Sequence, residues 1–397
     1  MNCVTGKQML RDTLAGRQAP LIPSAPLYMG LYCESLWRGK LVEVYREMAA
    51  NRTRLTLSFD ALTDAHLEAW DRTWALFHAP PDWMRTRWGI NRSQAEGSTV
   101  ALTRNACIWT SADGKTSVDY LAPYSATTSS SVDIWDRDVP LSTVTDVEAL
   151  VPLQTWESWL EDRRATWIER SLGRWGDRHL IKTTTGAPFW GAYSILGFSG
   201  LMHAVKQQPA MLEKLLERLL HNRMEYIRAV AEVGVPCLFI EECFSSADII
   251  SEADFARLAW PMLRDMIAYA ADLGLLTVFY YCGQIEGRVP YLAQSAANAL
   301  AFEEEKKNIK IDLAEIRSVV GPAKTILGNL DVTALRDASR EKVHALIAEQ
   351  ARAAGAPFVA SVGSPVIVDT PPERVSWVTE AARNLSLSGS ALNQSNS

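Results

Sequence analysis

The C-terminal half of this sequence alternates short apolar runs with longer amphipathic segments, and this alternation restricts the fold more than any other feature. Five apolar runs have the length of a strand: 236–242, 276–282, 299–304, 325–329 and 357–362. The amphipathic segments have the length of helices: 252–273, 289–296, 313–319, 340–354 and 372–385. Strands that are apolar on both faces are typical of a parallel sheet covered by helices. The alternation therefore predicts repeated βα units.

The N-terminal half adds further candidate elements. Runs 21–29 and 181–186 are predicted strands, and segment 203–230 is predicted to contain a long helix. Segment 98–120 alternates polar and apolar residues around a turn at 112–114, which predicts a β hairpin. We predict one domain over 1–385, a (β/α)8 TIM barrel with this hairpin inserted, and a disordered small-residue tail over 386–397.

Composition restricts the class of protein. The 397 residues carry a formal net charge of -6 with Lys and Arg scattered, so no nucleic-acid surface is expected. The chain lacks an apolar leader and an 18-residue apolar run, so we expect a cytoplasmic protein that does not associate with a membrane. Six cysteines without a CxxC motif indicate reduced thiols. GxGxxG and P-loop motifs are absent, which argues against a nucleotide cofactor.

Polar residues follow the five predicted C-terminal strands. Glu241 ends the first, Cys282 the second and acidic residues 303–305 the third, while Asn329 and Ser364 follow the last two. Because the carboxyl ends of barrel strands meet at one face, these side chains are expected to surround a pocket.

Each strand-end residue also has a structural explanation. Glu241 and Glu242 are adjacent, so only one of them can enter the barrel, and we predict that Glu242 does so. A salt bridge to a helix is the alternative. Cys282 fits either a pocket thiol or an inert buried cysteine, and Asn329 fits either a pocket amide or a loop cap.

Several motifs together resemble the uroporphyrinogen decarboxylase-like superfamily, more closely its cobamide-dependent methyltransferase branch than true uroporphyrinogen decarboxylase. The motifs are IISEADFARLAWP, YYCGQ, KIDLAEIRSVVG, LGNLDVTAL and VDTPPERVSWVTEAAR. Segment 20–32 has no arginine pair of the kind with which the decarboxylases bind propionates.

The resemblance implies two cofactor candidates. In the methyltransferase branch, zinc activates a thiol through a His-x-Cys motif and a later cysteine, and here Tyr280, Cys282 and Ser364 stand at those positions. We therefore predict that any Zn²⁺ is held by a different set containing Glu242 and Cys282. A corrinoid would be carried by a partner protein, since this chain has no Asp-x-His-x-x-Gly motif.

The leading hypothesis is a methyltransferase-type enzyme that moves a methyl group between a small-molecule substrate and a corrinoid or folate-like carrier. Its predicted catalytic residues are Glu242, Cys282 and Asn329. The predicted substrate-binding residues are Tyr28, Trp190, Tyr193, Tyr280, Tyr281, Glu304, Asp331 and Ser364.

Two alternatives stay open: a metal-independent decarboxylase or lyase acting on a small or tetrapyrrole-like carboxylate, and a non-catalytic corrinoid- or tetrapyrrole-binding protein. The sequence is also compatible with a homodimer.

Overall fold

The computed structural model describes residues 5–17, 19–121, 144–306 and 309–385. Seven strands form a parallel sheet in the order β11-β10-β9-β8-β7-β6-β2, and four form an antiparallel sheet in the order β1-β3-β4-β5. The strands are β1 Arg54–Leu57, β2 Trp83–Arg85, β3 Ser98–Leu102, β4 Ala106–Thr110, β5 Thr116–Tyr120, β6 Leu180–Gly186, β7 Cys237–Glu242, β8 Leu276–Tyr281, β9 Ala299–Phe302, β10 Thr325–Leu327 and β11 Phe358–Val359. The six strands predicted between 181 and 362 are confirmed.

A short extended segment closes the parallel sheet into a ring. The amide of Ala25 donates to the Ala360 carbonyl at 2.8 Å, and the amide of Ala360 donates to the Pro23 carbonyl at 2.9 Å. On the other side, the amide of Asp82 donates to the Ser24 carbonyl at 2.8 Å. The segment therefore lies between β11 and β2 as an eighth member, and the predicted barrel is confirmed.

Helices cover the outside of this ring. They are α1 Gly6–Leu14, α2 Met29–Ala49, α3 Phe59–Trp74, α4 Arg92–Ala95, α5 Val144–Leu150, α6 Trp156–Leu160, α7 Thr166–Trp175, α8 Pro188–Gln207, α9 Pro209–Glu232, α10 Glu252–Asp254, α11 Trp260–Asp272, α12 Val289–Gln294, α13 Leu313–Val320, α14 Val332–Asp337, α15 Arg340–Ala354 and α16 Pro372–Asn384. A π-helical turn, Phe255–Ala259, joins α10 to α11. None of the helices in the described ranges combines the length and hydrophobicity of a membrane-spanning segment.

Three sequence predictions need correction. Segment 203–230 contains the predicted long helix, but this helix begins only at Pro209, because a proline disfavours helical geometry in the residue before it and Gln208 leaves that geometry. Segment 21–29 is a strand only around Ser24, and Met29 already begins α2. Segment 98–120 forms three strands, which pair with β1 as well as with each other.

The turn predicted at 112–114 is present between β4 and β5, where the Gly114 amide donates to the Ser111 carbonyl at 3.0 Å. The tail predicted over 386–397 lies outside the described residues.

Candidate active site

The pairing register of β6, β7 and β8 decides which side chains enter the barrel. Glu241 is paired with Tyr280, and the same register places Lys182 on their side of the sheet. Thr183 lies on the opposite side, since its hydroxyl is 3.1 Å from that of Tyr226 on the outer helix α9. Because successive strand residues alternate between the faces, Lys182, Glu241 and Tyr280 point into the barrel.

Glu241 lies at the carboxyl end of β7 in a buried, charged environment. Its side chain is 3% exposed, and burial raises the pKa of Glu241 to about 7. The positive charge of Lys182, a hydrogen bond from Tyr28 and the positive charge of Arg85 each oppose part of that rise. A carboxyl group in this state can give or take a proton near neutral pH.

Lys182 holds its ammonium group between two aromatic rings. Nζ lies 4.0 Å from the ring centroid of Phe239 and 4.4 Å from that of Trp83, which are cation–π distances. Burial, with a smaller effect of the Arg85 charge, lowers the pKa of Lys182 to about 7, and the negative charge of Glu241 opposes part of this fall. The barrel interior thus contains an acid and a base that titrate in the same pH range.

Glu242, the carboxylate predicted to enter the barrel, points the other way. It is fully buried, and its Oε1 accepts a hydrogen bond from the Phe244 amide at 2.8 Å. The backbone amide of Trp190, in the first turn of α8, also stabilises the carboxylate, while burial raises the pKa of Glu242 to about 7. One position along a pleated strand reverses the side-chain direction. The placement is therefore corrected: Glu241 enters the barrel, and Glu242 faces the helices.

Cys282 lies on the inner side, directly after β8. Its sulfur is 2.8 Å from the sulfur of Cys243, which directly follows β7. Tyr280 donates a hydrogen bond from its hydroxyl to the Gly363 carbonyl at 2.8 Å. Tyr28 lies edge-on to the Tyr280 ring, with a centroid separation of 5.4 Å. Two thiols and two phenol rings therefore line the same end of the barrel as Glu241.

Three other aromatic residues were predicted to contact substrate. The Trp190 ring covers the last residue of β6, at the barrel mouth. Tyr193 stacks on Phe244 with ring centroids 3.6 Å apart. Tyr281 faces outwards, since its hydroxyl donates to the Ser245 carbonyl at 2.7 Å. Its predicted place in the pocket is therefore corrected, for the same reason as that of Glu242.

An ion cluster follows β9. The ammonium group of Lys306 lies 2.9 Å from Glu303 and 3.0 Å from Glu304, and donates to the Ser364 hydroxyl at 2.6 Å. The second oxygen of Glu303 accepts from the Gly283 amide at 3.0 Å. Glu304 and Ser364 were both predicted as substrate contacts. They lie close together, and each contacts the ammonium group of Lys306.

Asn329 and Asp331 hold the loop after β10. Asn329 donates from its side-chain amide to the Glu303 carbonyl at 3.0 Å. Glu303 in turn accepts from the Gly283 amide, in the loop that carries Cys282. Asp331 caps α14 and accepts from the Thr333 amide at 2.6 Å. Both residues line a cleft of about 480 Å³ that α15 borders on its outer side. Asp331 thus has a structural role as an N-cap, and its contact with substrate stays a prediction.

Neither the positions at which the resemblance places zinc ligands nor the predicted set of Glu242 and Cys282 fits a metal. Tyr280 uses its hydroxyl to donate to a backbone carbonyl, and Ser364 accepts from the ammonium of Lys306. Glu242 lies across the sheet from Cys282. Within the described ranges, no group of three or more His, Cys, Asp or Glu side chains is arranged to hold a metal ion.

Several residues of the site were not predicted: Lys182, Arg85 and Cys243, with Glu241 passed over for its neighbour. Lys182 had a visible signal, because a lysine inside a predicted buried strand needs a partner or an altered pKa. Arg85 had none, since β2 has only three residues.

Comparisons with known proteins agree with this architecture. A family model described as "Uroporphyrinogen decarboxylase (URO-D)" matches residues 140–385, more than half of the chain. A relative named uroporphyrinogen decarboxylase, from Syntrophotalea carbinolica, is 25% identical over 261 residues, which are 63% of this chain and 72% of the relative. Another of that name, from Gluconobacter oxydans, is 24% identical over 206 residues, which are 50% of this chain but only 57% of the relative.

A solved structure described as a methyltransferase from Methanosarcina mazei is similar over nearly the whole chain. It superposes with a TM-score of 0.63 at 17% identity, covering 96% of this chain and 98% of its own. At this identity the likeness establishes a shared fold.

Proposed function

Because the chain belongs to the uroporphyrinogen decarboxylase family, we propose that it is a decarboxylase that removes CO2 from an organic carboxylate by acid–base chemistry of its own side chains. One observation carries the proposal: Glu241 lies inside the closed barrel, at the carboxyl ends of the strands, within the electrostatic reach of Lys182 and Arg85. In barrels of this kind that end holds the active site.

The two cations serve to attract and orient the substrate. Arg85 and Lys182 are aligned on neighbouring strands β2 and β6, and a carboxylate between them forms charge-assisted hydrogen bonds. The surrounding rings of Trp83, Phe239 and Tyr280 exclude water, which strengthens these interactions.

Glu241 serves as the proton donor. When the bond between the substrate carbon and its carboxylate breaks, CO2 leaves and the electron pair stays on the carbon, delocalised into an adjoining π system of the substrate. The protonated carboxyl of Glu241 then gives its proton to that carbon, and water restores the proton. A pKa raised to about 7 keeps part of the Glu241 population protonated at neutral pH.

Tyr28 positions this acid. Its hydroxyl hydrogen-bonds to Glu241, and its ring is fixed edge-on against Phe239 with centroids 5.8 Å apart. Residue 28 is the N-cap of α2 and has a left-handed φ of 54°.

The substrate is proposed to be an aromatic or heteroaromatic acetate with few carboxylates. Segment 20–32 has no arginine pair. The cations that act on Glu241 are Lys182 and Arg85, and two cations match one or two carboxylates rather than many.

The test is release of labelled CO2. The purified protein is incubated with carboxyl-¹³C-labelled pyrrole acetates that have one ring or, as in uroporphyrinogen, four. Labelled CO2 from the one-ring substrate supports the proposal, and release from uroporphyrinogen alone would correct the substrate class. No release from either, with tight binding of a tetrapyrrole or corrinoid, would favour a non-catalytic binding protein.

Methyl transfer is the second candidate, and the neighbouring thiols of Cys243 and Cys282 favour it. A thiol at the barrel mouth can accept a methyl group from a corrinoid held by a docked partner protein or from a folate-like carrier. Demethylation of methylcobalamin by the protein in the presence of a small thiol, without CO2 release, would replace the decarboxylase proposal with this one.

A further inference from the structure

Cys243 and Cys282 occupy matching positions on neighbouring strands. Glu242 of β7 is paired with Tyr281 of β8, and the Cys282 amide donates to the Glu242 carbonyl at 3.0 Å. The ladder therefore continues one residue past the strands, and both cysteines follow an outward-facing residue. Neighbouring strands lie about 4.7–4.9 Å apart, within the range of about 4.4–6.8 Å that Cα atoms need for a disulfide.

The thiols of Cys243 and Cys282 are already in contact. Their sulfur atoms are 2.8 Å apart, and both residues are partly exposed, whereas Cys33, Cys107 and Cys237 are buried. The chain after Cys282 is held tightly, because a Cβ at Gly283 would lie 2.6 Å from the Ser246 hydroxyl oxygen.

We propose that Cys243 and Cys282 are a redox modification site, at which exchange with a small-molecule disulfide joins β7 to β8 by a reversible disulfide bond. One protein thiolate attacks a sulfur of the small disulfide, whose S–S bond breaks, and the released thiolate takes up the proton. The second protein thiol then displaces the other half as a thiol. The two protein thiols together lose two electrons, and the small disulfide gains them and becomes two thiols.

The modification would act on the barrel mouth. Both sulfurs lie close enough to Tyr28 to affect its ionisation electrostatically, and Cys282 is next but one to Tyr280 on the same inner side. A disulfide removes two S–H donors from this surface. The site stands on the strand register and the sulfur contact, so it does not depend on which reaction the barrel catalyses.

The test uses the full-length protein in glutathione buffers of increasing GSSG content. Free thiols are alkylated, and the peptides are mapped by mass spectrometry. We expect a cross-linked peptide pair containing Cys243 and Cys282, nearly complete loss of alkylation at these two positions, and full recovery after dithiothreitol. Cys33, Cys107 and Cys237 are the internal controls, which we expect to be alkylated after denaturation at every GSSG content.

Single variants separate the pair from general thiol reactivity. In Cys243→Ser the reaction should stop at a glutathione adduct on Cys282, and in Cys282→Ser at an adduct on Cys243. Full alkylation of both cysteines in wild-type protein at GSSG contents that oxidise thioredoxin would overturn the proposal, as would a cross-link of either one to another cysteine. Both outcomes are read from peptides, so they leave the decarboxylase proposal unaffected.

Discussion

The ammonium group of Lys182 lies 4.0 Å from the ring centroid of Phe239, inside the barrel. An aromatic ring stabilises this cation only partly, and burial lowers the pKa of Lys182 to about 7. The unfolded chain therefore binds more protons than the folded chain between about pH 7 and the ordinary lysine pKa of 10.5. The contribution of this group to stability rises with pH across that window.

Replacing Lys182 tests this titration. In Lys182→Met the contribution disappears, so the free energy of unfolding of the wild type should rise relative to the variant from pH 7 to 10, by at most about 1.4 kcal/mol per pH unit. Urea unfolding at several pH values measures the difference. Parallel curves for the two proteins would indicate that Lys182 has an ordinary pKa.

Tyr28→Phe is expected to change the acidity of Glu241. The Tyr28 hydrogen bond lowers the pKa of this carboxyl, so its loss should raise that pKa. The limb of the pH profile of kcat/KM that reports loss of the protonated acid should move to higher pH, while the fold is retained. An unchanged limb would remove Tyr28 from the positioning of Glu241.

Asp331→Ala is expected to lower stability without a specific effect on turnover. Asp331 accepts from the Thr333 amide at 2.6 Å at the start of α14, and loss of such a cap costs about 1 kcal/mol. Urea unfolding measures the loss, and Asp331→Asn, which keeps a capping oxygen, is the control. A variant with normal stability and a raised KM would restore Asp331 as a substrate contact.

A chelator is expected to leave CO2 release unchanged. No zinc site is formed by Cys282, Glu242 and Ser364, because Glu242 faces outwards and Ser364 is bound to Lys306. Decarboxylation by Glu241 therefore needs no metal ion at these residues. Activity is compared before and after dialysis against EDTA, with the metal content measured in both samples. Loss of CO2 release that Zn²⁺ restores would contradict a decarboxylase that works by its own side chains alone.

The sequence predicts the barrel well because apolar runs of strand length alternate with amphipathic segments of helix length. It does not predict which acid of β7 enters the barrel, because a strand buried on both faces has no polar–apolar alternation to mark its inner side. Glu241 and Glu242 are adjacent in β7 and therefore point to opposite faces of the sheet. The pairing of β7 with β6 and β8 decides which of these faces lies inside the barrel. Tyr281 was misplaced for the same reason.

Other parts of the site depend on contacts between distant segments. Arg85 reaches Lys182 only because β2 pairs with β6, across almost a hundred residues of intervening chain. The capping role of Asp331 was not predicted either, because no helix was predicted over Val332–Asp337.

The most direct test of the account compares Glu241→Gln with Glu242→Gln in the labelled-CO2 assay. The two substitutions are chemically identical and adjacent, and both variants are first checked for folding by circular dichroism. Because only Glu241 faces the barrel interior, Glu241→Gln should lose at least about 100-fold in turnover, and Glu242→Gln should stay within a few-fold of the wild type. Equal activity in Glu241→Gln and the wild type, or a selective loss in Glu242→Gln, would contradict the account.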